Sequence, residues 1–147
     1  QAATDSSISV EADINENGGV IKSGSPNINP NEIITYTYDA AKQYITRESG
    51  CGGNQPFLGD QPTSDAPRSV RVINTAAVPV FQYFDVLGAP ITAAQLPAAI
   101  PNIARIEITL WVETEDKDVS LDASSGQRRR MIYSTNVIPR NHHVVTY

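Results

Sequence analysis

The chain has 147 residues, a formal net charge of −5 and a single cysteine, and its isoelectric point is about 4.9. This length predicts one domain, residues 1–147, whose core is large enough to fold without disulfides or metals. An acidic chain has little general affinity for phosphate backbones or anionic membranes, so no nucleic-acid partner is expected. No apolar run approaches the roughly 18 residues that a membrane-spanning helix needs.

The first half of the chain predicts strands and turns. Apolar and polar residues alternate over residues 7–13, which predicts a strand with one buried face, and the following ENGG predicts a turn. After a proline- and asparagine-rich loop at residues 23–31, the segment EIITYTYDAAKQYITRES predicts a hairpin that turns at DAAK. Residues 50–67, rich in glycine and proline, predict a long irregular loop.

The middle of the chain predicts one or two strands and then a short helix. RSVRVINTAAVPVFQYFDVLG carries the strand pattern, with a break near residues 76–79. In ITAAQLPAAIPN, the spacing of Thr92 and Gln95 is that of a capping box, and the alanines favour a helix. Pro97 and Pro101 keep this helix short.

The last third predicts two long strands. IARIEITLWVETED alternates strictly and predicts a central strand, with its apolar face formed by Ile106, Ile108, Leu110 and Val112. After a polar connection, RRRMIYSTNVIPRN predicts the final strand, which ends near Pro139. Strands at hairpin spacing with at most one short helix indicate a mainly β domain built from antiparallel sheet.

The stretch ADINENGG, residues 12–19, raises the question of a metal site. Asp13, Asn15 and Asn17 match the first half of the D-x-[DN]-x-[DN]-G calcium loop. Position twelve of such a loop would be Gly24, where a bidentate glutamate is required. The pattern therefore favours a turn and predicts no metal site, while weak calcium binding near Asp13 stays open.

The residue types that catalysis uses do not group in the sequence. Cys51 lies in a glycine-rich segment without a nearby histidine, which favours a free thiol or a partner outside this chain. The adjacent His142 and His143 would point to opposite faces of an extended tail, and Asp116 and Asp118 read as a solvated loop. Phosphate-loop, dinucleotide and hydrolase motifs are also missing from the sequence. We expect no enzyme activity, no catalytic residue and no cofactor.

One basic run, Arg128-Arg129-Arg130, opposes the acidic balance of the chain. Such a run is typical of a solvated turn or of a strand edge whose unpaired backbone is protected by charge. A nucleic-acid patch is the alternative interpretation. The sequence favours a solvated turn or strand edge over such a patch.

Five segments follow one another along the chain: SISVEADINENGG, EIITYTYDAAKQYITRES, VFQYFDVLGAPI, IARIEITLWVETED and STNVIPRN. Their order resembles that of PilW-type minor pilins and, more distantly, of the J-type pseudopilins of type II secretion. In that family an "ITY" hairpin ends in an arginine, a YxDxxG segment follows, and a long strand precedes a terminal VxPRN. The matching positions are Ile34-Thr35-Tyr36 with Arg47, Tyr83 to Gly88, residues 103–112 and residues 137–141.

The resemblance implies a pilin-type head domain from which the N-terminal pilin helix is absent. It implies a non-catalytic structural subunit that helps to initiate or cap a type IV pilus-like filament, with other minor pilins and the major pilin as partners. The implied location is the periplasmic face of the inner membrane, reached through that helix, and the extracellular filament. Pilus and secretion pseudopilus are not distinguished, and an adhesive surface stays open. The alternatives are a secreted or surface β-sandwich module for binding or adhesion and, third, a hydrolase.

Overall fold

The computed structural model describes residues 2–11, 33–49, 53–59, 69–117 and 127–139. These ranges contain nine strands and one α-helix of a single turn, which continues into a 3-10 turn, and the prediction of a mainly β, antiparallel fold with at most one short helix is confirmed. The elements in chain order are β1 Ser7–Glu11, β2 Ile33–Asp39, β3 Tyr44–Ser49, β4 Gly53–Leu58, β5 Val70–Val72, β6 Phe81–Phe84, β7 Pro90–Ile91, α1 Leu96–Ala99, the 3-10 turn Ile100–Asn102, β8 Arg105–Lys117 and β9 Arg128–Val137.

The first sheet has the order β1-β2-β3-β4, and all its neighbours are antiparallel. The predicted hairpin corresponds to β2 and β3. Its turn is closed by Asp39, whose carboxylate accepts a hydrogen bond from the Lys42 N–H at 2.9 Å and whose carbonyl accepts one from the Gln43 N–H at 2.7 Å. Gln43 takes the left-handed backbone conformation, with φ 57°, which lets the chain reverse within four residues.

The second sheet is built around β8, the strand that the alternating pattern predicted to be central. β6 and β5 pair with β8 at residues 105–108 and 112–114, and β9 pairs with β8 along residues 106–113. Because β9 spans both regions, β5 and β6 must lie along the opposite edge of β8 from β9. β7 pairs with β6 and completes the sheet.

The two sheets share one hydrophobic core. Its largest fully buried side chains are Tyr83, Leu96, Val72 and Val80. The predicted apolar face of β8 packs against this cluster, as do Tyr36 and Tyr38 from the first sheet. The short helix α1 contributes Leu96, so burial of that side chain, rather than helix propensity, accounts for a helix of one turn.

Two predictions about local structure were wrong. The predicted loop over residues 50–67 contains strand β4, which pairs with β3 and has a register shift between Ile45 and Thr46. The helix begins after Gln95, not after Thr92, because Thr92 and Gln95 first form a separate turn. In that turn the Thr92 N–H and hydroxyl both donate to Gln95 Oε1, at 2.9 and 2.8 Å. The glutamine half of the predicted capping box therefore forms, but the Thr92 hydroxyl does not cap the helix. The loop predicted at residues 23–31 lies outside the described residues.

Gly59, just after β4, provides a test of how tightly the first sheet packs. Its φ is +76°, and a Cβ there would lie 2.9 Å from the Gln43 carbonyl oxygen. We expect Gly59→Ala to lower the free energy of unfolding by about 2 kcal/mol or more, because backbone strain and a clash add together. The measurement is equilibrium unfolding in urea. Gly88→Ala is the matched control, since φ is +80° there and no atom lies within 4 Å of the added carbon. Equal losses of stability in the two variants would contradict the close approach of Gly59 to the Gln43 carbonyl.

Candidate functional site

The most strongly charged site among the described residues crosses three strands of the second sheet. Glu113 on β8 stands directly opposite Arg71 on β5 and Arg130 on β9. The Arg71 Nε–H donates to Glu113 Oε2 at 2.8 Å, and the Arg130 Nε–H donates to Glu113 Oε1 at 2.9 Å. Each carboxylate oxygen therefore has its own guanidinium donor, and the carboxylate joins the two flanking strands through the central one.

The Glu113 carboxylate stays charged in this environment. Its side chain is only 6% exposed, and burial by itself would raise its pKa. The hydrogen bonds and positive charges of Arg130 and Arg71 outweigh burial, so the pKa of Glu113 lies below its ordinary value. A carboxylate held in this way is a poor proton donor near neutral pH. The arrangement is suited to holding strands together.

A second carboxylate extends the cluster. Glu115 lies 3.3 Å from Arg128 Nη1 and 3.9 Å from Arg71 Nε. The first of these contacts is an ion pair that is not aligned as a hydrogen bond. Three guanidiniums thus face two carboxylates, and the outer face of the sheet keeps a positive charge in a chain whose net charge is −5.

The side chain of Asn74 bonds to the edge of β8 in the stretch between β5 and β6, where no strand pairs with that edge among the described residues. Its side-chain N–H groups donate to the carbonyls of Val78 at 3.0 Å and Thr109 at 2.9 Å. Its Oδ1 accepts a hydrogen bond from the Trp111 N–H at 2.9 Å. The side-chain amide therefore supplies β8 with one donor and one acceptor that a neighbouring backbone would otherwise provide. Asn74 is buried.

The YxDxxG segment has a structural explanation for each of its three fixed residues. Tyr83 is buried in the core, and its hydroxyl donates to the Thr4 carbonyl at 2.9 Å. Burial and then the Asp5 carboxylate raise the pKa of Tyr83, so this hydroxyl remains a donor. The Asp85 carboxylate accepts hydrogen bonds from two backbone N–H groups of the following turn, at 2.9 and 2.8 Å. Gly88 supplies the left-handed conformation that closes the turn.

Large apolar side chains are exposed at two places of the second sheet. The turn between β6 and β7 presents Val86 and Leu87, whose backbone is fixed by the Asp85 bonds. Strand β9 presents Met131, Ile132 and Tyr133, and Val137 and Ile138 lie exposed at its end. Exposed apolar clusters of this kind are typical of protein-binding surfaces.

The structure describes few of the residues that the sequence singled out as candidates for chemistry. Asp116 is exposed, but it lies in strand β8 and not in the predicted loop. Its backbone carbonyl accepts a hydrogen bond from the Thr114 hydroxyl at 2.9 Å. The three arginines at 128–130 open strand β9, which lies at an edge of the second sheet among the described residues. Of the two expected settings, a solvated turn or a strand edge, the structure therefore has the strand edge. The others lie outside the described residues: Asp13, Asn15, Asn17, Cys51, Asp118, His142 and His143.

Sequence reasoning missed Glu113 and Asn74. Alternation along β8 assigns Glu113 to the polar face, but its arginine partners lie 42 and 17 residues away, and strand register alone brings them together. In the part of the chain that the structure describes, no three side chains of histidine, cysteine, aspartate or glutamate group as metal ligands. None of the helices described is both long and apolar enough to span a bilayer.

Comparisons of the chain with protein-family models, curated proteins and solved structures gave no significant match.

Proposed function

We propose that this chain is the head domain of a PilW-type minor pilin or related pseudopilin, a structural subunit that helps to initiate or cap a type IV pilus-like filament. The observation that carries the proposal is the order of five motifs, which begins at Ser7 and ends at Asn141. Its partners are other minor pilins and the major pilin. It acts without catalysis, anchored at the periplasmic face of the inner membrane by a helix encoded upstream and carried from there into the filament.

The physical roles of the motif residues support this proposal. In the "ITY" hairpin, Tyr36 lies directly opposite Arg47, the arginine that ends the motif. In the YxDxxG segment, Asp85 fixes the turn that presents the exposed pair Val86 and Leu87, while Tyr83 lies buried in the core. A subunit of an assembly needs rigid surfaces with exposed apolar side chains, which are the common anchors of protein interfaces.

The decisive experiment has a sequence arm and a binding arm. The gene upstream of Gln1 is expected to encode a short basic leader and then about 20 apolar residues, enough for a membrane-spanning helix. In pairwise pull-down assays, the purified domain is expected to bind at least one other minor pilin of its own operon. Leu87→Asp tests the exposed turn, and the exposed Gln82→Ala on β6 is its control.

Two results would overturn the proposal. A cleavable secretory signal without an apolar helix would favour a secreted β-sandwich binding module. Absence of binding to every minor pilin of the operon, by a domain that is folded according to circular dichroism, would remove the assembly function.

A further inference from the structure

The edge of strand β9 is long enough to pair with a further strand. It runs for ten residues and pairs with β8 along one side. Among the described residues no strand pairs with its other side, so a row of backbone donors and acceptors is available there. At about 3.4 Å per residue the edge is about 34 Å long. This length suffices for a full strand of a second molecule.

The centre of β9 is apolar on both faces. Met131 and Tyr133 stand opposite Val112 and Leu110, on the side of the sheet that faces the core, while Ile132 stands opposite Trp111 on the outer side. All three remain exposed, by 63%, 61% and 65% respectively. A strand added beside β9 would cover apolar surface on both faces of the sheet.

Two of the three arginine charges that would protect such an edge are already engaged by carboxylates of the same sheet. Arg130 is bound by Glu113 at 2.9 Å, and Arg128 lies 3.3 Å from Glu115. Unpaired charge prevents edge-to-edge association because a second strand would have to desolvate it. An arginine whose charge is compensated by a carboxylate of its own sheet opposes a second strand less strongly.

The order of residues along β9 is complementary to itself in one antiparallel register. Three arginines precede the three apolar residues, and three small polar residues follow them. A twofold axis perpendicular to the sheet keeps each residue on its own face and pairs residues at equal distances from the axis. With the axis at Ile132, the facing pairs are Ile132 with Ile132, Met131 with Tyr133, Arg130 with Ser134, Arg129 with Thr135 and Arg128 with Asn136.

In this register every guanidinium faces a hydroxyl or an amide and no arginine faces another. A parallel, in-register arrangement would instead place three arginines opposite three arginines, which is destabilising. We propose that β9 is a homodimerisation edge, at which two copies of this chain pair antiparallel about Ile132 and continue the second sheet across both molecules. This inference does not depend on the proposed filament function.

The first test measures the molar mass of the wild-type chain and then that of variants with a charged residue at the twofold axis. Sedimentation equilibrium between about 1 µM and about 1 mM, the range expected for a small interface, should show dimer mass at the upper end. Ile132→Lys and Ile132→Glu should each be monomeric, since each places two like charges on the axis. An equimolar mixture of the two variants should recover dimers. A monomeric wild-type chain over the whole range, or a mixture that stays monomeric, would overturn the proposal.

The second test fixes the register. In a Cys51→Ser background, Ile132→Cys places two thiols opposite each other, at a Cα separation of about 4.5–5.5 Å that a disulfide can bridge. Oxidation should give a covalent dimer. Ser134→Cys is the control, because its two copies would lie about 14 Å apart along the strands. Equal cross-linking at positions 132 and 134 would refute the register. Circular dichroism checks that each cysteine variant is folded.

Discussion

Replacement of Asn74 by alanine is expected to lower the free energy of unfolding by about 3 kcal/mol or more. The amide is the buried partner of two carbonyls and one backbone N–H. Removing it leaves the Thr109 carbonyl and the Trp111 N–H without this partner, while the Val78 carbonyl keeps a hydrogen bond from the Thr75 N–H at 3.3 Å. Each buried unpaired group costs about 1–3 kcal/mol. Asn74 holds the part of β8 that lies between its pairings with β5 and β6. The loss of these contacts adds to the cost. Urea unfolding followed by far-UV circular dichroism measures the effect.

Asn74→Asp separates hydrogen bonding from side-chain shape. Aspartate keeps the acceptor for the Trp111 N–H but loses both donors and directs negative charge towards the carbonyls of Val78 and Thr109. This variant should be at least as unstable as Asn74→Ala at neutral pH and should recover part of its stability in acid, where the carboxyl again carries a donor. A loss below about 1 kcal/mol in both variants would show that the amide bonds contribute no more than an ordinary hydrogen bond.

The strands that sequence analysis found are those in which local pattern and tertiary environment agree. β8 alternates apolar and polar residues because one face packs on the core and the other carries charge. β4 gives the opposite case: its sequence GNQPFL has no β-branched residue and includes a proline. This segment is a strand because it lies beside β3 at the end of a sheet, where proline is tolerated. Such a tertiary cause has no local signal.

The charged cluster shows why the candidate site was harder to predict than the fold. The run at 128–130 is conspicuous in the sequence, which predicted either a solvated turn or a strand edge for it. That Arg130 meets Glu113 depends on the register between β8 and β9, which no local sequence pattern sets. Asn74 was equally hidden, because asparagine before threonine and two alanines reads as a turn residue.

Glu113→Gln should remove the part of the stability that depends on a charged carboxylate between β5 and β9. The pKa of Glu113 is lowered in the folded protein from an ordinary value of 4.5. The carboxylate therefore contributes its full stabilisation above pH 4.5, and this contribution is lost as the pH falls further, through the folded pKa. At pH 7 we expect the free energy of unfolding of the variant to be lower by about 2 kcal/mol. This is less than the roughly 3–5 kcal/mol that the loss of one partner costs in a fully buried ion pair.

The smaller value follows from the unequal exposure of the three partners. Glu113 is 6% exposed, but Arg71 is 26% and Arg130 is 60% exposed, so water can solvate both guanidiniums once the carboxylate is removed. Unfolding curves at pH 7 and pH 3 should show a smaller gap between wild type and Glu113→Gln in acid. Glu115→Gln is the matched control: this carboxylate is 36% exposed, and an exposed ion pair contributes about 0–1 kcal/mol. If Glu113→Gln and Glu115→Gln lower the free energy of unfolding equally, the charge of Glu113 does not hold the three strands together.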